Sequence, residues 1–310
     1  DSFRGCAKLR EVIFGTAPEV LPRGTFAGCG ELARLVFRSG ALPRMEPGAF
    51  GVSPAAIDVV ASDGRHLKAN DLPCSAQAVG GVFLVGTEGG WEVVAPAPEA
   101  GKSLTVPAMW QGKPVVSVAE GAFREDTHVE EVKLPASVRA IGAQAFCGSA
   151  VKRVTLPETL RFIGESAFQN SRLEETPRLP DSVETIEGRV VTGCTFRDGG
   201  VLRLPKTLRT VPVYFGWWAT GLSGMELPGV EEVPPLGLVY VGAGAPEGHF
   251  NLRFGRRRVR FRKGSLSLHP KATYVVMALC FPEGSEPVFE EGALSGSASV
   301  ELRVEGQPVR

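Results

Sequence analysis

The sequence predicts a right-handed, β-rich solenoid of stacked coils, and three observations carry this prediction. First, an aromatic residue returns every 22 to 24 positions. Second, a short strand motif that ends in proline recurs with the same period. Third, glycine (38 residues) and proline (24 residues) are frequent, which suits short strands joined by turns and interrupts long helices. A fixed period of roughly 20 to 29 residues is typical of stacked structural units rather than one globular core.

The aromatic anchors form two runs separated by a gap. In order, the anchors are Phe3, Phe26, Phe50, Phe123, Phe146 and Phe168, and the same step continues through Val191, which is not aromatic, and Tyr214. We expect each anchor to fill the interior of its own coil and to pack against the anchor of the next coil. The repeat pattern is broken between about residues 56 and 116.

The clearest unit, residues 129–146, shows what we expect of every coil. It begins with a short strand in which Val132 points inward between polar neighbours. Pro135 then ends the strand because proline cannot donate to a β-ladder. Gly142 turns the chain before the anchor Phe146. Stacking such units predicts one parallel strand per coil, with turns and extended backbone on the far side.

The gap between the two runs predicts two arrays with an insert between them. Residues 83–95 have the alternation and central turn of a β-hairpin. A hairpin there would cover the first coil of the second array, whose strand edge would otherwise be unpaired. We therefore predict the end of one array in residues 1–78 and a second array in residues 79–310. Within the second array we expect a hairpin cap at about 79–118 and degenerate repeats at about 216–310.

Composition restricts the possible partners. The chain has 34 basic and 34 acidic residues, so its net charge is zero, and this balance predicts no nucleic-acid partner. Hydrophobic residues make up 43% of the chain, which is enough for a folded protein. No apolar run approaches the roughly 20 residues that a membrane-spanning helix needs, so we expect no transmembrane segment.

The repeated residues match a known pattern. The consensus L-P-x-x-L-x-x-I-G-x-x-A-F-x-x-C-x-x-L resembles that of the BspA-like leucine-rich repeats, and LTVPAMWQGKPVVSVAEGAF resembles the usual lead-in to such arrays. The resemblance covers residues 1–53 and 80–215 well and residues 216–310 loosely. It implies a leucine-rich-repeat solenoid from a bacterial, for example spirochaete-type, protein that is exported to the cell surface, the medium or the periplasm. It also implies a role in adhesion or in binding host or cell-envelope proteins.

Side chains that alternate with the inward residues of each strand are the first candidates for binding. Lined up coil by coil, they would form a stripe of mixed charge on the sheet face of the solenoid, and solenoids bind through such surfaces. The alternative is a solvated face with weak ion pairs. The residues in question are Glu131, Lys133, Arg153, Thr155, Glu175, Arg178, Arg203, Glu226 and Arg253.

The equivalent positions in the first array hold apolar residues, Ile13 and Val36. Two stacked apolar side chains on an open face could form a patch that contacts a partner. The alternative is that the middle segment or an upstream coil covers them.

A second candidate surface lies on a turn, where Trp217 and Trp218 are adjacent. Paired tryptophans on an outer turn are good interface anchors. The alternative is that one of them replaces the missing phenylalanine of this repeat, because a tryptophan also fills core volume.

The third candidate is the basic run Arg253–Lys263, in which strand alternation would expose every second arginine. Such a strand suits an acidic polysaccharide such as a glycosaminoglycan, or an acidic protein. The alternative is an edge strand kept soluble by its charge. The arginines concerned are Arg256, Arg257, Arg258, Arg260 and Arg262.

The six cysteines predict neither a metal site nor a catalytic centre. They form no C-x-x-C pair, and the four histidines are isolated from cysteine and carboxylate partners at ligand spacing. Cys6, Cys29 and Cys194 each follow an anchor by three residues, and we expect free, buried thiols there. A Cys6–Cys29 bridge between adjacent coils is sterically possible and stays open.

Together these observations predict a non-catalytic module without cofactors that binds a protein through the exposed sheet face. No motif of an enzyme is present in the sequence. The alternatives are a structural module of the cell envelope or periplasm, and polyanion binding through the basic run. Because the first coil is incomplete, we also expect self-association through an uncapped N-terminal end.

Overall fold

The computed structural model describes residues 3–46, 49–50, 56–69, 76–97, 100–239, 249–267, 276–295 and 299–305. Within these residues the protein is a stack of β-coils with almost no helix. In chain order the strands are β1 (Glu11–Phe14), β2 (Val20–Leu21), β3 (Arg34–Phe37), β4 (Arg44–Met45), β5 (Asp58–Val60), β6 (His66–Lys68), β7 (Gln77–Val79), β8 (Val82–Thr87), β9 (Gly90–Pro96), β10 (Ser103–Thr105), β11 (Met109–Trp110), β12 (Lys113–Val118), β13 (Glu131–Lys133), β14 (Ala140–Ile141), β15 (Arg153–Thr155), β16 (Phe162–Ile163), β17 (Thr185–Ile186), β18 (Val201–Arg203), β19 (Gly224–Leu227), β20 (Glu232–Val233), β21 (Leu238–Val239), β22 (His249–Phe254), β23 (Arg260–Phe261), β24 (Leu266–Ser267), β25 (Val276–Phe281), β26 (Val288–Phe289), β27 (Leu294–Ser295) and β28 (Ser299–Val304).

The first array is built on the parallel strands β1, β3 and β5. β6 then pairs with β5 in the antiparallel direction. On another side of the coils, β2 pairs in parallel with β4. The repeat therefore continues through β5, beyond the position near residue 56 at which the sequence pattern fades. The strand Asp58–Val60 keeps the register of its neighbours although its coil lacks the proline and aromatic signals of the motif.

The predicted hairpin is present and lies beside the second array. β8 and β9 pair antiparallel, with Thr87 opposite Gly90 at the turn, and β7 adds a third antiparallel strand. β9 also pairs in parallel with β12, the first strand of its column in the second array. The hairpin thus supplies hydrogen-bond partners to a strand edge that would otherwise be exposed.

Most coils of the second array contribute strands to more than one ladder, so the prediction of a single strand per coil was wrong. One ladder contains β10, β13 and β15, and another contains β12, β14, β16 and β17. In the C-terminal coils three ladders run side by side, β18-β19-β22-β25-β28, β20-β23-β26 and β21-β24-β27. Many of the additional strands have only two residues. A two-residue strand has no visible alternation, which explains why the sequence pattern does not reveal it.

The aromatic anchors form a continuous stack in the core. Phe123, Phe146 and Phe168 are completely buried, and their ring centroids lie 4.9 and 5.1 Å apart in nearly parallel planes. This spacing matches the distance between neighbouring strands of a sheet, about 4.8 Å. Burying each of these rings contributes about 1.5–3 kcal/mol. The same stack recurs in the first array between Phe26 and Phe50, at 5.3 Å.

In the coil after that of Val191, the anchor is Phe215 rather than Tyr214, which corrects the sequence prediction. Phe215 is fully buried, whereas Tyr214 is half-buried at the surface. The reason is a longer coil: the backbone N–H of Arg189 donates to the carbonyl of Val213, so this coil is longer than the one before it. The extra length moves the buried aromatic to the next position along the chain.

Successive coils approach each other closely where the motif has glycine. A Cβ atom on Gly164 would lie 2.5 Å from the backbone nitrogen of Ala143 in the preceding coil. Any side chain at Gly164 would force the two coils apart. The glycine of the motif is thus required by the stacking distance as well as by the turn.

A column of left-handed residues runs along one turn of the solenoid. Gln144, Ser166, Arg189, Tyr214 and Leu236 have φ values between 54° and 62°. The backbone N–H of each donates to a carbonyl of the next coil, for example from Tyr214 to Leu236 at 2.8 Å. These hydrogen bonds hold a conformation that is unfavourable for non-glycine residues. As a result the turn projects one side chain per coil in a fixed direction.

The two arrays contact each other directly. Arg4 of the first array donates a hydrogen bond to Glu125 of the second, with Nη2 and Oε1 2.9 Å apart. At Gly28 a Cβ atom would lie 3.4 Å from Oε2 of the same glutamate. The arrays are therefore joined by side-chain contacts as well as by the chain between them.

Candidate binding surfaces

The longer coil creates an aromatic turn on the surface. Phe215 occupies the core and anchors the turn, while Tyr214, Trp217 and Trp218 lie around it at the surface. The Tyr214 and Trp217 rings are tilted, with centroids 5.2 Å apart. The Trp217 and Trp218 rings meet edge to face at 6.1 Å. Such packing holds the rings in fixed orientations.

Neighbouring coils extend this turn into a surface. We call it the aromatic turn surface, and it comprises Arg189, Val213, Tyr214, Trp217, Trp218 and Leu236. The Trp218, Val213 and Leu236 side chains are 52%, 41% and 40% exposed, which is high for large apolar residues. The Arg189 guanidinium carbon lies 5.3 Å from the Tyr214 ring centroid, in cation–π geometry. The surface therefore combines exposed apolar groups with a cation held over an aromatic ring.

One polar atom of this surface is buried without a partner. Nε1 of Trp217 is buried and has no hydrogen-bond partner among the described residues. Most buried indole N–H groups have a partner, so Trp217 departs from the usual pattern.

The sequence identified part of this surface. Trp217 and Trp218 were candidates, and the alternative that one of them fills the core does not hold, because Phe215 does so. Val213, Tyr214 and Leu236 were missed as surface residues. These residues are located by the alignment of the left-handed residues from coil to coil, because it places Tyr214 beside Leu236.

The sheet face of the first array carries a ladder of alternating charge. Glu11, Arg34, Asp58 and Lys68 lie opposite one another on successive strands. Arg34 lies 3.4 Å from Glu11, and Lys68 forms an ion pair with Asp58. The hydrogen bond from Lys68 holds the pKa of Asp58 below its ordinary value. Charge on this face is thus largely neutralised between coils.

Beside this ladder runs an apolar column. Ile13 lies opposite Val36, and Val36 lies opposite Val60. Ile13 is about half exposed, while Val36 and Val60 are partly buried. β5, which lies in the segment where the repeat pattern is broken, pairs with β3 and so adds Val60 to the column. The column is a second exposed apolar feature, smaller than the aromatic turn surface.

The sheet face of the second array is also paired across coils. Arg153 forms ion pairs with Glu131 and, at 3.8 Å, with Glu175. Lys133 and Thr155 lie opposite each other and are exposed, as expected of the outward face.

An ion triad lies next to the sheet face. Glu130 accepts hydrogen bonds from Lys102 at 2.7 Å and from Lys152 at 2.8 Å. These two lysines lower the pKa of Glu130 to about 2. The same contacts raise the pKa of Lys152. The triad ties three consecutive coils together at the surface.

Two predicted sheet-face residues do not lie on a strand. The segment that contains Glu175 and Arg178 has no strand in the structure, which corrects the prediction. Pro177 follows Glu175 closely and lacks the N–H that a ladder requires. Arg178 is exposed and lies 3.5 Å from Glu158.

The outward face resumes in the C-terminal ladder, where Arg203, Glu226 and Arg253 lie opposite one another. Arg203 Nε lies 3.8 Å from Glu226 Oε2, and Arg253 is exposed.

The basic run alternates as predicted, but most of its charge is balanced. Val259 and Phe261 are buried, which turns Arg258, Arg260 and Arg262 outward. The nitrogen-to-oxygen distances of the ion pairs are 3.7 Å for Arg256 with Glu231, 3.7 Å for Arg258 with Glu286, 3.0 Å for Arg262 with Glu232 and 2.9 Å for Arg262 with Glu290. Arg257 and Arg260 are exposed. Glutamates from neighbouring coils therefore weaken the positive potential that the sequence suggests.

The cysteines of the described residues are free thiols. Cys29 and Cys194 are buried as expected, and each Sγ donates to a carbonyl of the preceding coil at 3.0 Å. Burial raises the pKa of Cys194 to about 11. Cys6 is exposed, contrary to expectation, and forms no bridge with Cys29. Cys74, the segment 240–248 and His269 lie outside the described residues.

Two features are absent from the described part of the chain. It contains no group of three or more histidine, cysteine, aspartate and glutamate residues arranged to hold a metal ion. It also contains no helix with the length and apolar character of a membrane span.

Comparisons with known proteins match this chain to other leucine-rich-repeat proteins. The family model described as BspA type leucine rich repeat region matches residues 1–59 and 115–214 in six copies, which is slightly more than half of the chain. The chain is similar to the solved leucine-rich-repeat protein of T. pallidum, with 27% identity, a TM-score of 0.44 and coverage of 58% of this chain and 86% of that chain. It is also similar to a leucine-rich cell surface protein of Faecalibacterium prausnitzii (14% identity, TM-score 0.35, 74% and 78% covered). A further similar structure is the pneumococcal vaccine antigen PcpA (15% identity, TM-score 0.38, 75% and 88% covered).

No match to a curated protein was found. The residues that the family model matches include stacked coils of both arrays in the structure. The chain belongs to the BspA-type leucine-rich-repeat family.

Proposed function

We propose that the protein is a non-catalytic module that binds another protein, and that the aromatic turn surface makes the principal contact. The observation that carries this proposal is the exposure of three large apolar side chains, Trp218, Val213 and Leu236, on two coils joined by the hydrogen bond from Tyr214 to Leu236. Tryptophan, tyrosine and arginine supply most of the binding energy in protein interfaces. Leucine-rich repeats typically serve as non-enzymatic modules, and many bind proteins.

The backbone of the turn supports this role because it is already fixed. The left-handed residues Arg189, Tyr214 and Leu236 are joined to their neighbours by hydrogen bonds between coils. A partner would therefore meet side chains whose positions are largely set before binding. Preorganisation of this kind lowers the entropy cost of association.

We assign a secondary role to the sheet faces. Their charges are already paired between coils, as in the contact of Arg153 with Glu131, so each offers little net attraction to a partner. Such ladders suit the polar rim of an interface, where they influence association rate and specificity more than affinity.

Adhesion at the cell surface is the form of protein binding that we propose on the basis of the family. The alternative, a structural module of the cell envelope, uses the same fold and differs only in its partner. Polyanion binding is less favoured, because Arg262 lies between Glu232 and Glu290.

Site-specific photo-crosslinking tests the proposal. A benzophenone amino acid replaces Trp218 in one variant and Arg153 in another, and both variants are exposed to extracts of host surface and bacterial envelope proteins. We expect the residue at position 218 to crosslink a specific protein that is identified by mass spectrometry. Crosslinking of that protein from position 153 alone would contradict the proposed surface. The source of the protein distinguishes adhesion to a host from a role within the envelope.

A further inference from the structure

A cavity of about 260 Å³ lies between the two arrays. We call it the inter-array pocket, and both arrays contribute to its walls. Its lining residues are Arg4, Arg23, Gly24, Ala27, Glu120, Gly121, Arg124 and Gln144. Three guanidinium groups and the Glu120 carboxylate thus face the same small volume, and Glu125 lies beside it, paired with Arg4 and Arg124.

Two of the arginines have nitrogen atoms without a partner. Nη2 of Arg23 and Nε of Arg124 are buried and form no hydrogen bond with any described residue. Arg4 differs, because it donates to Glu125. Arg124 donates through Nη1 to Gln144, and its Nε lies 3.8 Å from Oε1 of Glu125, an ion pair that is too long for a hydrogen bond. Within the described residues no ion pair joins Glu120 to Arg23 or Arg124.

Burying such donors unpaired is unfavourable. Desolvation by burial lowers the pKa of Arg23, and the nearby charge of Arg124 acts in the same direction. Glu120, Glu92 and Glu46 oppose this effect. The pocket therefore holds two guanidinium groups, each of which has one buried nitrogen atom without the hydrogen bond that such a donor normally makes.

We propose that the inter-array pocket binds a small oxyanion, which accepts hydrogen bonds from Arg23 and Arg124. Arginine forks suit carboxylate, sulfate and phosphate groups because their N–H donors match the spacing of the oxygens. Gly121 lines the pocket and keeps space for the ligand. A Cβ atom there would lie 3.8 Å from Nη2 of Arg23 and 3.5 Å from the Cβ of Arg124.

An anion in this pocket would bridge the two arrays. Arg23 belongs to the first array, and Arg124 belongs to the second. Because the anion contacts both, its binding stabilises their relative arrangement in addition to the Arg4–Glu125 ion pair. This site is separate from the aromatic turn surface and does not depend on the function proposed for it.

Isothermal titration calorimetry with inorganic sulfate, inorganic phosphate and acetate tests the proposal, with chloride used to keep the ionic strength constant. We expect one saturable site per chain for at least one of these anions. The variant R23Q/R124Q is expected to bind about tenfold or more weakly, because it lacks both charged donors. The control R10Q removes an exposed arginine of the first array and should bind like the wild-type protein. Acetate binding would indicate a carboxylate ligand such as an acidic peptide, whereas binding of sulfate or phosphate alone would indicate an inorganic oxyanion.

Absence of saturable binding for all three anions would overturn the proposal. Equal binding by the wild-type protein and R23Q/R124Q would also overturn it, since the anion would then lie elsewhere. Circular dichroism checks that the double variant is folded. If it is not, nitrogen-15 NMR of the Arg124 Nε–H group in the wild-type protein provides the second measurement. That resonance should shift with sulfate at the same affinity, and an unchanged resonance would count against the site.

Discussion

Arg4 Nη2 lies 2.9 Å from Glu125 Oε1, and this ion pair joins a turn of the first array to a turn of the second. The side chains are only 23% and 33% exposed, so solvent screens the pair less than a typical surface ion pair. The two residues are 121 positions apart in the chain, which makes the contact a sensitive probe of how the arrays are joined.

A double-mutant cycle on this pair should give a measurable coupling. Arg4→Ala, Glu125→Ala and the double variant are compared by urea unfolding. We expect a coupling free energy of about 1 kcal/mol, near the upper end for partly exposed ion pairs. The same cycle on Arg10 and Glu31, which are 79% and 47% exposed, should give a smaller value. A coupling free energy of zero for Arg4 and Glu125 would show that the arrays do not meet at these residues.

Removal of a core anchor should destabilise the second array strongly. Phe146→Ala deletes a fully buried ring that stacks on the rings of both neighbouring coils. The expected loss of unfolding free energy is about 3–5 kcal/mol. Phe162→Ala is the control, because Phe162 is only half-buried on an outward strand position. A loss of similar size for both variants in urea unfolding would refute the stacked core.

The glycine at the contact between coils should resist substitution. Gly164→Ala places a methyl group 2.5 Å from a backbone nitrogen of the preceding coil, so we expect a loss of about 1–3 kcal/mol from overpacking. Gly30→Ala is a matched control, since no atom lies within 4 Å of the added Cβ there. Thermal unfolding of the two variants checks the difference, and an unchanged melting temperature for Gly164→Ala would contradict the close stacking.

Lowering the pH should break the ion pairs that Glu130 forms with Lys102 and Lys152. Lys102 and Lys152 lower the pKa of Glu130 from an ordinary value of 4.5 to about 2. A lowered carboxylate pKa stabilises the folded state above the ordinary pKa, and this contribution is lost as the pH falls from about 4.5 towards 2. NMR titration of the Glu130 carboxyl group measures the shift directly. In the variant Lys102→Ala/Lys152→Ala, the pKa should return towards 4.5, and an unchanged titration would exclude the lysines as its cause.

Much of the fold could be predicted from the sequence, because the stack repeats a strong local pattern. Phe146 and Phe168 recur with the coil period, and proline and glycine mark the end of the strand and the turn. The short second and third strands could not be predicted, since strands such as Ala140–Ile141 are too short to alternate. The anchor at Phe215 was missed for a different reason: the length of its coil changes, and a fixed period cannot detect that.

The candidate surfaces were only partly predictable. Trp217 and Trp218 are conspicuous because they are adjacent in the sequence. Leu236 is brought to the same surface only by a hydrogen bond between coils, which the sequence does not show. The basic run illustrates the opposite case. Its arginines are conspicuous in the sequence, whereas the glutamates that balance them lie about one coil away, as Glu290 does from Arg262. The inter-array pocket has no local sequence signal, because it forms where Arg23 and Arg124 meet across the arrays.

The most direct test of the account is the affinity of the partner captured at position 218 for two variants of the protein. Surface plasmon resonance compares Trp218→Ala with Arg153→Ala, which removes a paired sheet-face charge. The account predicts that Trp218→Ala weakens binding by about thirtyfold, or about 2 kcal/mol, while Arg153→Ala changes it by about threefold or less. Unchanged affinity for Trp218→Ala, together with a large loss for Arg153→Ala, would contradict the assignment of binding to the aromatic turn surface.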